Sequence, residues 1–358
     1  MKNIEKFIAI IVTVIIFGAS GLFCVNVSAS EDYTPGLKVK KINNGTGVKI
    51  TISNVKIEEA SYYLCISGGP YSDYESGEKI IAYLDSNDKS KKNTMTHEIK
   101  GMSAGTYYFR VVVPGNWERK EITSKKKKVV ISKMDVPDKE IPKDNPDLTK
   151  LKKGDSFFMG HYEQDADMTN GREPIEWIVL SKTDKKILAI SKYALDDFPY
   201  HNEYDGVTWE NCSLRSWLNK HFLKEAFSKE ERNKILKSKI TTSGNEYGAK
   251  ECKTKDRIFI LSYEQASSTK LFVDARARLT TITEYCRARG GQTIEDRFIR
   301  DDTVTEEGKP ACYWTLRGTR GYPWESACVN TWGEFISVGD FFVDDYCQIR
   351  PAMYVSIK

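Results

Sequence analysis

Histidine is scarce in this chain, with four residues among 358, which leaves little material for a polyhistidine metal site or several His-based catalytic groups. The chain also lacks a C-x-x-C pair, the usual element of a structural zinc site. An excess of one charge is missing too, because 54 basic residues nearly balance 50 acidic ones. Nucleic-acid binding needs a concentrated basic face, so we expect no nucleic-acid partner.

The composition is that of a globular protein. Hydrophobic residues make up 40% of the chain and charged residues 29%, and the mean hydropathy is -0.49. These values exclude both a disordered polypeptide and a multi-pass membrane protein. The length favours two folded units preceded by a leader.

Residues 1–29 have the order of a secretory signal peptide: a short charged start, an apolar run over Phe7–Phe17, and small side chains up to Ala29. Val27 and Ala29 occupy the two positions before the cleavage site where signal peptidase requires small side chains, which predicts cleavage after Ala29. An uncleaved membrane anchor is the alternative, because the apolar stretch is long enough to cross a bilayer. Either way we expect a secreted or extracellular cell-surface protein, with membrane contact only if the leader is retained.

Residues 30–132 contain short β-rich segments separated by turns, which predicts an antiparallel β-sandwich. A polar stretch rich in Asp, Ser, Asn and Lys after Leu84 predicts a loop. The motif Gly105–Tyr108 resembles the start of the penultimate strand of a fibronectin type III domain. Immunoglobulin-like bacterial repeats share this pattern. The predicted strands are Leu37–Ile42, Val48–Ile52, Tyr62–Ile66, Ile80–Leu84, Ala104–Val113 and Lys128–Ser132.

Residues 133–150 carry three prolines among alternating charges and almost no large apolar side chains, which predicts a semi-extended linker. The second unit, 151–358, begins with segments that have the pattern of strands and continues with a helical pattern over Leu214–Ala226, so we expect an α+β domain. Ser228 and Glu231 predict a capping box for a second helix that includes Ile235, Leu236 and Ile240. A buried strand over Ile258–Leu261 and a cap formed by Ser262 and Gln265 are expected after it.

Several ordered motifs occur in this second unit: Gly160–Asp165, Glu173–Trp177, Thr208–Glu210, Leu214–Asn219, Ala226–Ser228, Ile260–Glu264, Tyr313–Arg317 and Ile349–Ala352. Together they resemble the domain of unknown function 6273, which occurs in exported proteins of anaerobic Gram-positive bacteria. The resemblance covers about residues 150–358 and implies no established activity. The tail is also similar to the ending of formylglycine-generating-enzyme and C-type-lectin-like domains, which implies a C-type-lectin-like fold.

The oxygen-bearing side chains of Asp165, Asp167 and Asn170, followed by Gly171, predict either a calcium loop or a hydrogen-bonded Asx turn. The glycine stands one position later than in an EF-hand. No other cofactor is expected, and the sequence predicts no catalytic residue. Groups that could supply a base or a nucleophile are His161, His201, His221, Cys212, Cys312, Cys328 and Cys347, but no set of them is brought together by the sequence.

Seven cysteines follow the leader, an odd number that leaves at least one thiol without an internal partner. Export would permit disulfides, although the sequence cannot assign their connectivity. The cysteines have either a redox function or a structural role as buried, unreactive side chains.

Aromatic and charged residues interleave in the stretch after Gly308, as they do in saccharide and peptide grooves. Trp324 and Trp332 adjoin Gly, Pro or acidic residues, so we expect them at exposed loop tips. The alternative is a core role, with Arg317 and Arg350 bridging buried aspartates. The predicted binding residues are Trp314, Arg317, Trp324, Trp332, Asp340 and Asp344.

Together these features predict a noncatalytic, modular exported protein. Its C-terminal domain would recognise a glycan or protein of the cell envelope or of a host. The alternative is an extracellular enzyme that modifies envelope polymers or protein side chains through the thiols or through Asp165 and Asp167.

Overall fold

The computed structural model describes residues 13–16, 23–26, 34–56, 61–69, 78–85, 87, 89–90, 92–115, 120–291, 303–336 and 341–358. Most of the expected leader, including the cleavage position after Ala29, lies outside them. Two strands are described there, β1 (Thr13–Ile16) and β2 (Phe23–Asn26), and they pair antiparallel. Among the described residues, no helix combines the length and apolar character needed to span a membrane.

The described part of the N-terminal region contains eight further strands in two antiparallel sheets. One sheet has the order β3-β4-β7, and the other has the order β10-β8-β5-β6 with β9 added to β8. The strands are β3 (Gly36–Ile42), β4 (Gly47–Ser53), β5 (Ser61–Gly68), β6 (Lys79–Asp85), β7 (Met95–Ile99), β8 (Gly105–Val113), β9 (Ile122–Thr123) and β10 (Lys127–Ile131).

Alternation of side chains explains why the two sheets share one core. In β4, Val48 and Ile50 are fully buried while Lys49 between them is exposed, and in β8 Phe109 and Val111 point into the same cluster. The prediction of a β-rich N-terminal region is therefore confirmed. The loop predicted after Leu84 is followed by β7, a strand that was not predicted, whose Met95 and Ile99 complete the core despite polar neighbours.

The C-terminal region combines short strands with a few short helices. Its strands are β11 (Ser156–Tyr162), β12 (Glu173–Lys182), β13 (Lys186–Ser191), β14 (Asp196–Pro199), β15 (Ser238–Thr242), β16 (Cys252–Asp256), β17 (Ile258–Phe259), β18 (Trp314–Leu316), β19 (Ala327–Val329), β20 (Phe335–Ile336), β21 (Tyr346–Ile349) and β22 (Ala352–Ser356). The helices are α1 (Ser213–Trp217), α2 (Leu223–Ala226), α3 (Lys229–Lys234), α4 (Tyr263–Ala266) and α5 (Glu284–Ala288). A π-helical turn, Leu218–Phe222, joins α1 to α2, and 3-10 turns occur at Asn43–Gly45 and Arg276–Arg278.

The central sheet of this region has the order β11-β12-β13-β22-β17, so the last strand of the chain lies between β13 and β17. Smaller sheets, β14-β21, β15-β16 and β18-β19-β20, surround it. Four fully buried tryptophans, Trp177, Trp209, Trp217 and Trp314, contribute to one large apolar cluster. This core fixes the loops that carry the exposed side chains described below.

The predicted helix over Leu214–Ala226 is confirmed as α1, the π turn and α2, and both predicted capping boxes form at Ser228 and Ser262. The second helix is shorter than predicted, because α3 ends at Lys234. Ile240 is buried in β15 between exposed neighbours, the two-residue period of a strand paired with β16. Including Ile240 in that helix was therefore wrong.

The segment 133–150 contains no helix or strand and follows the surface of the C-terminal region. The side chain of Asn145 accepts a hydrogen bond from the backbone N–H of Phe158 at 2.8 Å and donates one to its carbonyl at 2.9 Å. Asp138 pairs with Arg172 at 2.7 Å. The segment is thus extended as predicted but anchored at several points, while the division into two domains remains a prediction.

Candidate functional site

Five side chains of the C-terminal region, each more than one third exposed, form what we call the aromatic surface: Tyr204, Tyr247, Tyr322, Trp324 and Phe342. The rings of Tyr322 and Trp324 are stacked, with centroids 4.8 Å apart and planes 2° from parallel. Tyr247 meets Tyr322 edge to face at 5.6 Å, and Tyr204 meets Phe342 in the same way at 5.2 Å. Rings in such contacts are held in place although they face solvent.

Main-chain hydrogen bonds join the loops that carry these rings. The N–H of Val343 donates to the carbonyl of Trp324 at 3.0 Å, which places Phe342 beside the Tyr322–Trp324 turn. The N–H of Val207 donates to the carbonyl of Pro323 at 3.1 Å, which brings in the loop of Tyr204. The positions of the rings are therefore set by the backbone.

Two polar side chains stabilise the same loops from inside. Asn245 donates hydrogen bonds to the carbonyls of Thr319 and Gly321 at 3.0 and 2.8 Å. The carboxylate of Glu325, which is 5% exposed, accepts the N–H of Tyr322 at 3.1 Å. Both contacts satisfy backbone groups in irregular loops, where no strand partner does so.

A polar cleft of about 420 Å³ adjoins the aromatic surface, and Tyr247 belongs to both. Its lining includes the charged side chains of Glu246, Glu264 and Arg320. The guanidinium of Arg320 lies 4.3 Å above the ring of Tyr263, so this cation has a fixed position on the wall of the cleft. Stacking rings and oriented polar groups therefore occur side by side.

The structure separates the predicted binding residues. Trp324 and Trp332 are 37% and 46% exposed, which confirms their predicted exposure, although Trp332 lies on a separate turn held against Ala275. Asp344 is half-buried on the turn that carries Phe342. Asp340 lies outside the described residues.

Trp314 and Arg317, two of the predicted binding residues, are buried in and beside β18 and do not belong to the aromatic surface. Arg317 lines the polar cleft, and the role of both residues in binding stays a prediction. The indole N–H of Trp314 donates to the carbonyl of Arg278 at 3.2 Å. The guanidinium of Arg317 donates to two backbone carbonyls and to the side chains of Thr242 and Gln265.

Arg350 is buried and donates to the carbonyls of Ser191, Lys192 and Arg278. The acceptors of Arg317 and Arg350 in these bonds are thus not the expected aspartates. Burial lowers the pKa of Arg350 to about 10.

A second constellation lies at the open end of the β11–β12 hairpin. Tyr162 pairs with Glu173 in the sheet register, so the loop between them places Glu163 next to Glu173. Oxygens of Glu163, Asp165 and Glu173 lie within 4.8 Å of one another, and we call these three residues the carboxylate cluster. The ammonium of Lys139 binds Asp165 at 2.9 Å and also binds Glu173.

The three carboxylates differ in environment. Glu163 is 4% exposed, and neither of its carboxylate oxygens has a hydrogen-bond partner among the described residues. Burial, reinforced by the nearby charge of Glu173, raises the pKa of Glu163 to about 8. Although burial opposes the change, hydrogen bonds from Asn170 and Lys139 lower the pKa of Asp165 to about 2.

The predicted calcium residues Asp165, Asp167 and Asn170 are adjacent but bond mainly within their own turn. The amide of Asn170 donates to Asp165 at 2.8 Å, and Asp167 accepts from the backbone N–H and the hydroxyl of Thr169. Asp167 also donates its N–H to Asp165 at 2.8 Å. This is the geometry of the Asx-turn alternative.

Most of the groups considered for catalysis are buried or bonded to the backbone, whereas His221 is exposed. The seven cysteines after the leader are all buried, and burial raises the pKa of Cys65 to about 11 and that of Cys212 to about 12. A thiol with a raised pKa forms little of the reactive thiolate. The ring of His201 accepts the N–H of Ser213 at 3.2 Å, and His161 contacts the carbonyl of Lys139 at 2.9 Å.

Sequence reasoning missed four of the residues that the fold brings together: Tyr204, Tyr247, Glu163 and Glu173. The two tyrosines lie far along the chain from Trp324 and carry no local signal. The two glutamates did have one, since both flank the turn between two predicted strands, and an antiparallel hairpin would place them side by side.

Residues 184–357, just under half of the chain, match the family model described as Domain of unknown function (DUF6273). This match supports the expected C-terminal domain of unknown function, over a range that starts later than residue 150. No curated protein and no solved structure matches the chain.

Proposed function

We propose that the protein is an exported, noncatalytic recognition protein whose C-terminal domain binds a glycan through the aromatic surface. The observation that carries this proposal is the stacked pair of Tyr322 and Trp324, exposed beside Tyr247 and the polar cleft. A soluble protein has little reason to leave five ordered rings in solvent unless a ligand covers them.

The chemistry of the surface favours a saccharide over a protein ligand. Sugar rings have apolar faces that stack on aromatic side chains and hydroxyl groups that bond to fixed polar groups. The aromatic surface supplies the first kind of contact, and Glu264 and Arg320 in the cleft supply the second. A cleft of about 420 Å³ is within the range of small-molecule sites, roughly 300–1,000 Å³.

In this proposal the N-terminal region is a fibronectin type III-like or immunoglobulin-like sandwich that serves as a spacer. The division of its strands into β3-β4-β7 and β10-β8-β5-β6 supports that assignment. The C-terminal domain is assigned a C-type-lectin-like fold. The leader assigns the protein to the cell surface or exterior, and the resemblance to domain of unknown function 6273 assigns it to a Gram-positive bacterium.

Binding of the purified chain to insoluble peptidoglycan and to a glycan array tests this function. We expect Trp324→Ala to weaken binding ~10-fold, which corresponds to about 1.4 kcal/mol and lies within the roughly 0.5–1.5 kcal/mol of an aromatic contact. Tyr83→Ala is the control, because this ring is 69% exposed but lies in β6 of the N-terminal region.

Trp332→Ala locates the site, since Trp332 is as exposed as Trp324 but lies on another turn. Loss of binding in Trp332→Ala with normal binding by Trp324→Ala would refute the aromatic surface as the site. The alternative enzymatic function predicts a covalent change in peptidoglycan, glycans or thiol peptides. Turnover detected by mass spectrometry and abolished by one substitution would refute a noncatalytic role.

A further inference from the structure

The carboxylate cluster has the composition of a site for a hard cation. Glu163, Asp165 and Glu173 place three carboxylates around one point, and calcium, magnesium and manganese prefer such oxygen ligands. The hairpin register fixes two of the three, because Glu163 follows the end of β11 and Glu173 begins β12. The arrangement is therefore built into a strand pair.

Glu163 distinguishes this cluster from an ordinary acidic surface. Its side chain is almost completely buried, its oxygens have no hydrogen-bond partner among the described residues, and one of them lies within 4.8 Å of a carboxylate oxygen of Asp165 and one of Glu173. A buried carboxylate without a partner is costly, and natural proteins rarely keep one unless an ion or ligand compensates it. The ammonium of Lys139 forms salt bridges that balance the charges of Asp165 and Glu173, but it forms no salt bridge with Glu163.

From this geometry we propose that Glu163, Asp165 and Glu173 bind a calcium ion, and that the ammonium of Lys139 holds the place of the cation in the metal-free protein. Two oxygens bound to one calcium, at about 2.3–2.6 Å each, can be up to about 5 Å apart. The three oxygens lie within 4.8 Å of one another, so small side-chain adjustments bring all of them to one calcium. Magnesium demands a near-ideal octahedron at about 2.0–2.1 Å, whereas calcium accepts the irregular geometry of carboxylates from a loop and a strand end.

This site differs from the one predicted from the sequence. It keeps Asp165 but replaces Asp167 and Asn170, which bond within their own turn, by two glutamates from the strand ends. Lys139 must leave Asp165 and Glu173 when calcium enters, because the cation and the ammonium need the same oxygens. Removing the ammonium should therefore favour calcium.

Calorimetric titration of the full chain with calcium chloride, after chelator treatment and dialysis, tests the proposal. We expect one calcium per chain with a Kd of roughly 10⁻⁶ to 10⁻³ M, the range of sites with few carboxylates. Glu163→Gln and Glu173→Gln should each weaken binding at least ~10-fold, since each removes a charged ligand. Glu210→Gln, at an exposed glutamate, is the matched control and should bind normally.

Lys139→Met supplies the complementary variant, and we expect it to bind calcium more tightly than the parent chain. Thermal melts of all variants in chelator establish that each is folded. Absence of calcium binding by the folded parent chain would overturn the proposal, as would unchanged affinity in Glu163→Gln. Weaker binding in Lys139→Met would also overturn it, because the lysine would then support the site rather than compete for it.

Discussion

Trp314→Ala should strongly destabilise the C-terminal domain, whereas the same change at Trp324 should not. Trp314 is fully buried in β18 and packs against Phe272, with ring centroids 6.5 Å apart. Burying a tryptophan removes about 150–250 Å² from water, which at roughly 25 cal/mol per Å² contributes about 4–6 kcal/mol. Measured losses for large-to-small changes in cores are similar, about 3–5 kcal/mol.

Two further contacts disappear with the Trp314 ring. The carbonyl of Arg278 loses the indole N–H, and the buried guanidinium of Arg350 loses an aromatic face 5.3 Å away. We therefore expect a total loss of about 5 kcal/mol, a large share of the roughly 5–15 kcal/mol that stabilises a typical domain. For a unit of this size, the melting temperature should fall by roughly 10–20 °C.

Differential scanning calorimetry or a urea titration followed by tryptophan fluorescence measures this difference. Trp324→Ala should remain within about 1 kcal/mol of the parent chain, because its ring is 37% exposed. The comparison also validates the binding experiment, which needs Trp324→Ala to be folded. Equal melting temperatures for the two variants would refute the separation of core from surface tryptophans.

Two other predictions concern the ends of the domains. Gly171→Ala should release the segment 133–150 from the C-terminal region, because Gly171 has a φ of +85° and an added Cβ would lie 2.0 Å from the carbonyl oxygen of Pro137. Limited proteolysis should then cut this segment faster than in the parent chain. Equal cleavage rates in the two proteins would contradict the packing of the segment. The exported protein should begin at Ser30, which amino-terminal sequencing measures; an intact Met1 in a membrane fraction would show that the leader is retained as an anchor.

Local sequence patterns predicted the regular elements well. The alternation in Val48–Ile52 and Gly105–Val113 shows the two-residue period of half-buried strands, and both segments are strands. The cap of α3 was equally local, since Ser228 and Glu231 bond across three residues. Where the local signal was ambiguous, tertiary packing decided: Ile240 fits a helical spacing but is held in β15 by its pairing with Thr254 of β16.

The aromatic surface was only partly predictable, for a different reason. Its rings come from four loops spread over residues 204–342. Main-chain hydrogen bonds, which carry no residue identity, join three of these loops, and the side chain of Asn245 joins the fourth. A stretch rich in aromatics indicates that some rings must face solvent, but burial depends on register in a small sheet. Trp314 in β18 faces the core, while Trp324 in the following loop does not.

The carboxylate cluster shows how a motif can locate the correct loop and still miss the ligands. The spacing of Asp165, Asp167 and Asn170 indicated an oxygen-rich turn, and that turn is present, but its groups largely satisfy one another. The unsatisfied group is Glu163, whose side chain is buried where the hairpin opens. Local hydrogen bonding thus explains why the motif residues have little need of an ion, and strand pairing explains why Glu163 and Glu173 together are better placed to bind one.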